Sequence, residues 1–157
     1  MATFRRFEDI QAWQLGRELN LEVYRLTSDG PFARDFGLRD QVRRASVGVT
    51  SNIAEGYGRR GPRDFARFLS MASGSVAEVQ SQLYLALDLG YLSDDDFDAT
   101  LALTRRIAGA LVKLTAYLRT AASVREPTVP YDPAPLADEL DALADTPSEP
   151  PAAEPEA

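Results

Sequence analysis

An apolar residue recurs through the middle of the chain at alternating intervals of four and three positions. The residues are Phe65, Leu69, Ala72, Val76, Val79, Leu83 and Ala86. This spacing is typical of one face of an α-helix, because a helix has about 3.6 residues per turn. With Pro62 in its first turn and Gly90 as its stop, it predicts a helix about 40 Å long, since each residue adds about 1.5 Å. A helix of that length favours a bundle over a compact globin-like packing.

Three further segments carry the same apolar spacing. The predicted helices span about residues 8–26, 35–55 and 62–90, and a fourth follows Ser93 with an apolar stripe from Phe97 to Leu118. Gly30 and Pro31 are expected to end the first helix, and Gly56 and Gly58 the second. Ser93 is expected to cap the last helix. Short connections force neighbouring helices to run antiparallel, so residues 1–126 are predicted to form an all-α, up-down-up-down four-helix bundle.

Residues 127–157 differ sharply in composition from the rest of the chain. Eight of the ten prolines and eight of the 24 acidic residues fall there, whereas all 17 Lys and Arg precede it. Such a segment buries too little apolar surface to offset its ordering entropy, which predicts a disordered acidic tail. Three leucines in it, Leu136, Leu140 and Leu143, have the spacing of a short amphipathic helix. The segment is either a partner-binding helix or a solvating tail with transient helicity.

The composition excludes most familiar enzyme chemistry. The chain has no Cys and no His, so thiolate nucleophiles, Ser-His triads, zinc fingers and the carboxylate-histidine metal sites of helical bundles are absent. The run Asp94 to Asp96 fits the first turn of a helix better than a calcium loop. We therefore expect a non-enzymatic protein with no cofactor and no metal. No apolar run suits a membrane span and no signal-like start is present, so the expected location is cytoplasmic.

Arginine is the remaining chemistry-bearing residue type. Clusters fall mid-helix and around the second connection, at Arg43, Arg44, Arg59, Arg60, Arg63 and Arg67. A further basic stretch lies at Arg105, Arg106 and Lys113. Guanidinium groups suit phosphate, so the clusters are candidate nucleic-acid contacts. Residues 1–126 carry 17 basic and 16 acidic residues, so composition alone favours ordinary surface arginines, solvated or paired with carboxylates.

Two other features point to assembly. Asn52, Glu55 and Gly56 stand near the end of the second helix, where a structural or intersubunit role is favoured over catalysis. Several helices carry apolar residues off their main stripe: Leu15, Val47, Leu85, Leu87, Leu103 and Tyr117. This surplus of apolar surface indicates self-association.

A set of ordered motifs resembles the bacterial four-helix bundle proteins named for 23S rRNA intervening sequences. The motifs are Phe7-Glu8-Asp9-Ile10, Trp13-Gln14, Gly37 to Ala45, Ser51 to Gly56, Phe65 to Leu69, Gly74-Ser75 and Leu87 to Leu92. The resemblance covers about residues 4–119, and Thr50 stands where the family usually has Pro.

The resemblance implies a left-handed bundle that assembles into a ring-shaped homopentamer. The family includes accessory proteins of diversity-generating retroelements, which bind nucleic acid and a reverse transcriptase. The resemblance also implies that Arg43 and Arg44 are motif arginines, and that Asn52 and Glu55 belong to the polar signature of the family. The leading hypothesis is therefore a homo-oligomeric nucleic-acid-binding or ribonucleoprotein accessory protein. The alternative is a protein-interaction scaffold that binds no nucleic acid.

Overall fold

The computed structural model describes residues 4–59 and 61–125, with side chains described as far as residue 120. A short 3₁₀ turn, Phe7–Asp9, precedes five helices: α1 (Gln11–Leu26), α2 (Gly30–Arg34), α3 (Phe36–Gly58), α4 (Pro62–Asp88) and α5 (Asp94–Arg125). These residues contain no strand, so the predicted all-helical fold is confirmed. Arg60, the predicted tail of residues 127–157 and its leucines Leu136, Leu140 and Leu143 lie outside the described residues.

The four long helices pack in the cyclic order α1, α3, α4, α5. In the α3–α4 pair, Gly48 faces Ser75 whereas Gly56, eight residues further along α3, faces Phe68, seven residues earlier in α4. Contacts in this order are those of antiparallel neighbours. The other interfaces pair Gln80 with Thr104, Tyr84 with Phe97, Asn20 with Thr50, and Thr27 with Arg43.

The core lies along the axis between the long helices, and every one of them contributes fully buried side chains. Those with at most 1% of their surface exposed include Leu19, Val49, Ile53, Leu69, Val79, Leu83, Ile107 and Leu111. The α4 residues among them belong to the apolar repeat that predicted this helix. The core therefore follows from the four-three spacing in the sequence.

Side-chain and backbone caps set several helix ends where the sequence predicts them. The Oγ of Ser93 accepts a hydrogen bond from Asp96 N at 3.1 Å, which confirms the predicted cap of α5. Gly90 adopts φ +70°, a left-handed conformation that suits glycine. The N–H of Tyr91 then donates to Ala86 O at 2.8 Å, which ends α4 in a Schellman motif.

One predicted helix start is wrong. The first helix begins at Gln11, because Ile10 is extended with φ −80° and ψ 118°, which separates the 3₁₀ turn from α1. The second helix continues through Gly56 and ends at Gly58, the later of the two glycines predicted to stop it. The last helix extends past Leu118, where its predicted apolar stripe ends, to Arg125. Thr50, where the family usually has Pro, lies within the unbroken helix α3.

Helix α2 is not predicted from the sequence. Gly30 and Pro31 follow the end of α1, as expected, and they also begin this five-residue helix. Pro31 suits a first turn because its φ is already near the helical value. The side chain of Phe32 is only 2% exposed and packs against the Tyr91 ring, with ring centroids 5.5 Å apart. A buried aromatic therefore holds this short helix against the connection between α4 and α5.

Candidate nucleic-acid interface

The turn between α3 and α4 brings three of the candidate arginines together. The guanidinium carbons of Arg59 and Arg67 lie 5.4 Å and 5.1 Å from the centroid of the Phe68 ring. Phe68 is 5% exposed, so it is a fixed platform for both groups. Arg63 lies one helical turn before Arg67 and is exposed. These three residues are called the turn arginines below.

The carboxylate of Glu55 lies directly within this cluster. The Nη2 of Arg59 donates to the Oε1 of Glu55 at 2.7 Å, and both side chains are more than half exposed. An exposed pair separated by four residues on a helix contributes only a few tenths of a kcal/mol, about 0.3–0.5. Such a pair opens easily when a phosphate competes for the guanidinium group.

The structure separates Arg43 and Arg44 from the turn arginines. Arg44 is exposed, but it precedes Arg59 by fifteen residues of helix, or about 22 Å. Arg43 is half-buried, and its Nε and Nη2 donate to the Oγ1 and the carbonyl of Thr27 at 2.7 Å and 2.8 Å. Its guanidinium group also lies 4.5 Å from the centroid of the Tyr24 ring. Arg43 thus ties α3 to the end of α1.

Charge is distributed unevenly along the bundle axis. We call the end formed by residues 4–9, the α3–α4 turn and the last turns of α5 the basic end. Its described cations are Arg5, Arg6, Arg59, Arg63, Arg67, Lys113 and Arg119, and its acids are Glu8, Asp9, Glu55 and Asp64. Arg119 reaches this level because α5 runs antiparallel to α4 from the Tyr84–Phe97 contact. Sequence reasoning did not single out Arg119 or Phe68.

The opposite end of the bundle is acidic. Its carboxylates are Asp29, Asp35, Asp40, Asp88, Asp94, Asp95, Asp96 and Asp98, against Arg25, Arg34, Arg39 and Arg43. Several of them have structural partners: the Oδ1 of Asp96 accepts from Arg25 Nη2 at 2.6 Å. That hydrogen bond, and a second one from Ser93, hold the pKa of Asp96 below its usual value. Negative side chains therefore outnumber positive ones at this end, and the reverse holds at the other end.

A tyrosine also links elements at the acidic end. The hydroxyl of Tyr91 donates to the Oδ2 of Asp35 at 3.2 Å, and Asp35 caps α3 by accepting from Leu38 N at 3.0 Å. Burial, followed by this hydrogen bond, raises the pKa of the Tyr91 hydroxyl. Within residues 4–59 and 61–125, no group of three or more carboxylates is arranged to hold a metal ion.

The polar signature residues make local contacts within the chain. The Nδ2 of Asn52 donates to Gly48 O at 2.8 Å, one turn earlier in α3. Glu55 accepts from Arg59 as described above. Gly56 is buried, and a Cβ built on it would lie 2.6 Å from the Cβ of Phe68 and 2.8 Å from the Cδ2 of Phe65. At Gly56, α3 and α4 are thus packed so closely that a Cβ would clash.

The off-stripe apolar residues divide into two groups. Leu15 is buried, and Leu87 and Leu103 pack partly against the core. Val47, Leu85 and Tyr117 are exposed by 40%, 48% and 44%. Two further exposed residues, Met71 and Leu89, lie with Leu85 on the α4 surface that adjoins α3, because Met71 is one turn from Ser75, which faces Gly48. We call Met71, Leu85 and Leu89 the apolar edge.

Comparisons with known proteins agree with the helical architecture. The sequence profile of the 23S rRNA-intervening sequence protein family matches residues 8–113. A crystal structure of a protein of unknown function from the S23 ribosomal protein family of Bacteroides thetaiotaomicron is similar, with a TM-score of 0.61 and 17% identity. The match covers 66% of this chain and 97% of that one. No curated protein matches the sequence. Among the described helices, none is long and apolar enough to cross a membrane.

Proposed function

The chain belongs to the 23S rRNA-intervening sequence protein family, and on that premise we propose that it is a non-enzymatic, self-associating bundle that binds nucleic acid through its basic end. The observation that carries the proposal is the placement of Arg59 and Arg67 on one buried aromatic ring. A guanidinium group held by a ring keeps its N–H donors directed outward and loses less conformational freedom when it binds phosphate. An accessory role in a ribonucleoprotein, beside a partner such as a reverse transcriptase, is consistent with such a surface.

Electrostatics supports binding at one end rather than along the whole bundle. The basic end holds seven described cations and four acids, whereas the opposite end has an excess of carboxylates. With a nearly neutral bundle, attraction to phosphate depends on this local excess and is screened within about 10 Å at 0.1 M salt. Binding should therefore be strongly salt-dependent and largely indifferent to base sequence.

Replacing the three turn arginines together by alanine, as R59A/R63A/R67A, is expected to weaken binding of labelled RNA or DNA at least tenfold at low salt. Each lost phosphate contact lowers the slope of log affinity against log salt by about 0.7–0.9, so the slope should fall by about two. A salt-series titration by fluorescence anisotropy measures both quantities. Melting curves of the variant show whether the bundle remains folded.

The matched control is R34A/R44A/R105A, which removes the same charge from exposed arginines outside the basic end. It should bind with nearly wild-type affinity. Equal weakening by both triple variants would show that net charge, and not this end, governs binding. If the wild-type chain binds no nucleic acid at low salt, the nucleic-acid part of the proposal fails, and the protein-interaction scaffold becomes the better interpretation.

Self-association rests on the apolar edge. Met71, Leu85 and Leu89 are each exposed by about half, at 50%, 48% and 48%, on one side of α4. Large apolar side chains exposed along one side of a helix support an association site there. The resemblance described above implies a ring-shaped pentamer of the 17.2 kDa chain.

The double variant L85Q/L89Q is expected to be monomeric under conditions in which the wild type forms an oligomer. The reason is that two polar side chains would have to lose their water at the centre of the contact. Sedimentation velocity at micromolar concentration gives the mass of each species. L21Q, which changes a 68% exposed leucine on α1, is the control and should sediment as the wild type does. A monomeric wild-type chain, or an unchanged double variant, would contradict this part of the proposal.

A further inference from the structure

A cleft of about 300 Å³ opens at the basic end, between the residues that precede α1 and the last turns of α5. Its floor is apolar and includes Phe4, Ile10 and Leu114, and its rim carries Tyr117 and Lys113. The hydroxyl of Tyr57 donates to the carbonyl of Phe4 at 3.1 Å, which fixes this wall of the cleft to the end of α3. The cleft therefore lies at the same end of the bundle as the turn arginines.

The side chains at the mouth of the cleft have the chemistry of a single-strand site. Tyr117 is 44% exposed and lines the cleft together with its apolar residues. Arg106, Lys113 and Tyr117 share one face of α5, because they are separated by seven and four residues. Both cations are exposed, and neither forms an ion pair within the described part of the chain. Two cations and an aromatic ring thus lie in sequence along one face of α5.

Polar groups at the rim of the cleft can form hydrogen bonds with a nucleobase. Asp9 and Gln11 line the cleft, and both can bond the donors on the edge of a base. The charge of Asp9 is offset by Arg6, whose Nε lies 3.3 Å from its Oδ1, so the carboxylate does not repel a nearby phosphate strongly. A duplex hides its base faces in the stack, whereas a single strand exposes them for stacking on aromatic side chains.

We propose that this cleft receives an unpaired nucleobase, stacked on Tyr117, while Lys113 and Arg106 bind the adjoining phosphates. The inference rests on the proposed nucleic-acid binding and specifies its substrate class as single-stranded nucleic acid. It predicts that the wild-type chain binds a single strand at least tenfold more tightly than a duplex of the same length. A 2-aminopurine base in the strand should lose fluorescence on binding, because stacking on an aromatic ring quenches it.

The test compares full-length wild type, Y117A and Y117F on the 2-aminopurine strand and on the duplex. Stacking of one base contributes about 1–3 kcal/mol, so Y117A should bind the single strand about five- to 150-fold more weakly, with little quenching. Duplex affinity should change little. Y117F keeps the ring and should behave as the wild type. Y84A is the matched control, since Tyr84 is 50% exposed and lies towards the acidic end.

The outcomes separate this inference from the broader proposal. Equal wild-type affinity for single strand and duplex, or unchanged single-strand affinity and quenching in Y117A, would overturn the cleft as a base site and leave binding by the turn arginines standing. Both proposals would be supported if R59A/R63A/R67A binds nucleic acid more weakly and the wild type prefers the single strand to the duplex in a way that Y117A abolishes. Absence of binding to either nucleic acid would overturn both together.

Discussion

Replacing Gly56 by alanine is expected to lower the free energy of unfolding by about 1–3 kcal/mol, even though alanine is the better helix former. The added Cβ would lie 2.6 Å from the Cβ of Phe68 and 2.8 Å from the Cδ2 of Phe65. The Cβ of Phe68 is anchored to the α4 backbone and cannot rotate away, so α3 and α4 must move apart. That displacement loosens the turn that carries Arg59 and Arg67, and urea denaturation of G56A measures its cost.

The matched control for this prediction is G109A. Gly109 is also inside a long helix, but a Cβ built on it meets no atom within 4 Å. Alanine there should stabilise the bundle by about 0.5–1 kcal/mol, because glycine has more conformational freedom to lose on folding. The two substitutions are thus chemically identical, but their expected effects on the free energy of unfolding are opposite in sign. If G56A were as stable as wild type, close approach of α3 and α4 would not be the reason for glycine at this position.

The apolar spacing predicts the helices of this protein well because it is a local property. The repeat that ends at Ala86 lies on the buried face of α4, and the caps at Ser93 and Gly90 depend on neighbours in the chain. Each of these features is decided within a few residues, where the energetic preferences of helix formation are well understood. The bundle follows once several such helices are joined by short connections.

The role of Gly56 could not be predicted in the same way. In the sequence, Gly56 is a helix stop by the usual preference, and nothing local shows that Phe68 will lie against it. The contact joins residues twelve positions apart on two helices, so packing overrides the local tendency to end the helix. Helix α2 was missed for the same reason, since the burial of Phe32 depends on Tyr91.

The candidate arginines illustrate the same limit at the functional site. The sequence shows six residues of one type and gives no means of separating exposed groups from tethered ones. The turn arginines are adjacent because a helix connection brings them together, which is a short-range effect. Arg43 differs because its partners, Thr27 and Tyr24, belong to another helix. A candidate list from sequence therefore mixes residues that bind a ligand with residues that hold the fold.

Arg43 and Arg44 provide the sharpest test of that distinction, because they are neighbours with the same side chain. R43A is expected to lower the free energy of unfolding by about 1.5–3 kcal/mol, because two charge-assisted hydrogen bonds to Thr27 disappear. The carbonyl of Thr27 then has lost the donor that Arg43 provided. Thr27 is only 1% exposed, so water does not readily replace the lost donor. R43K should recover little, because an ammonium group cannot reproduce the fork that spans both oxygens.

R44A is the control for this experiment, and it should change the free energy of unfolding by no more than about 0.5 kcal/mol, as exposed substitutions usually do. Measured at a temperature where both variants are folded, R43A should bind nucleic acid as wild type does. If R43A is as stable as the wild type but binds nucleic acid more weakly, Arg43 belongs to the nucleic-acid interface. Loss of stability alone would show that this motif arginine, which the resemblance places beside Arg44, serves to join α1 to α3, and that the polyanion surface begins at the α3–α4 turn.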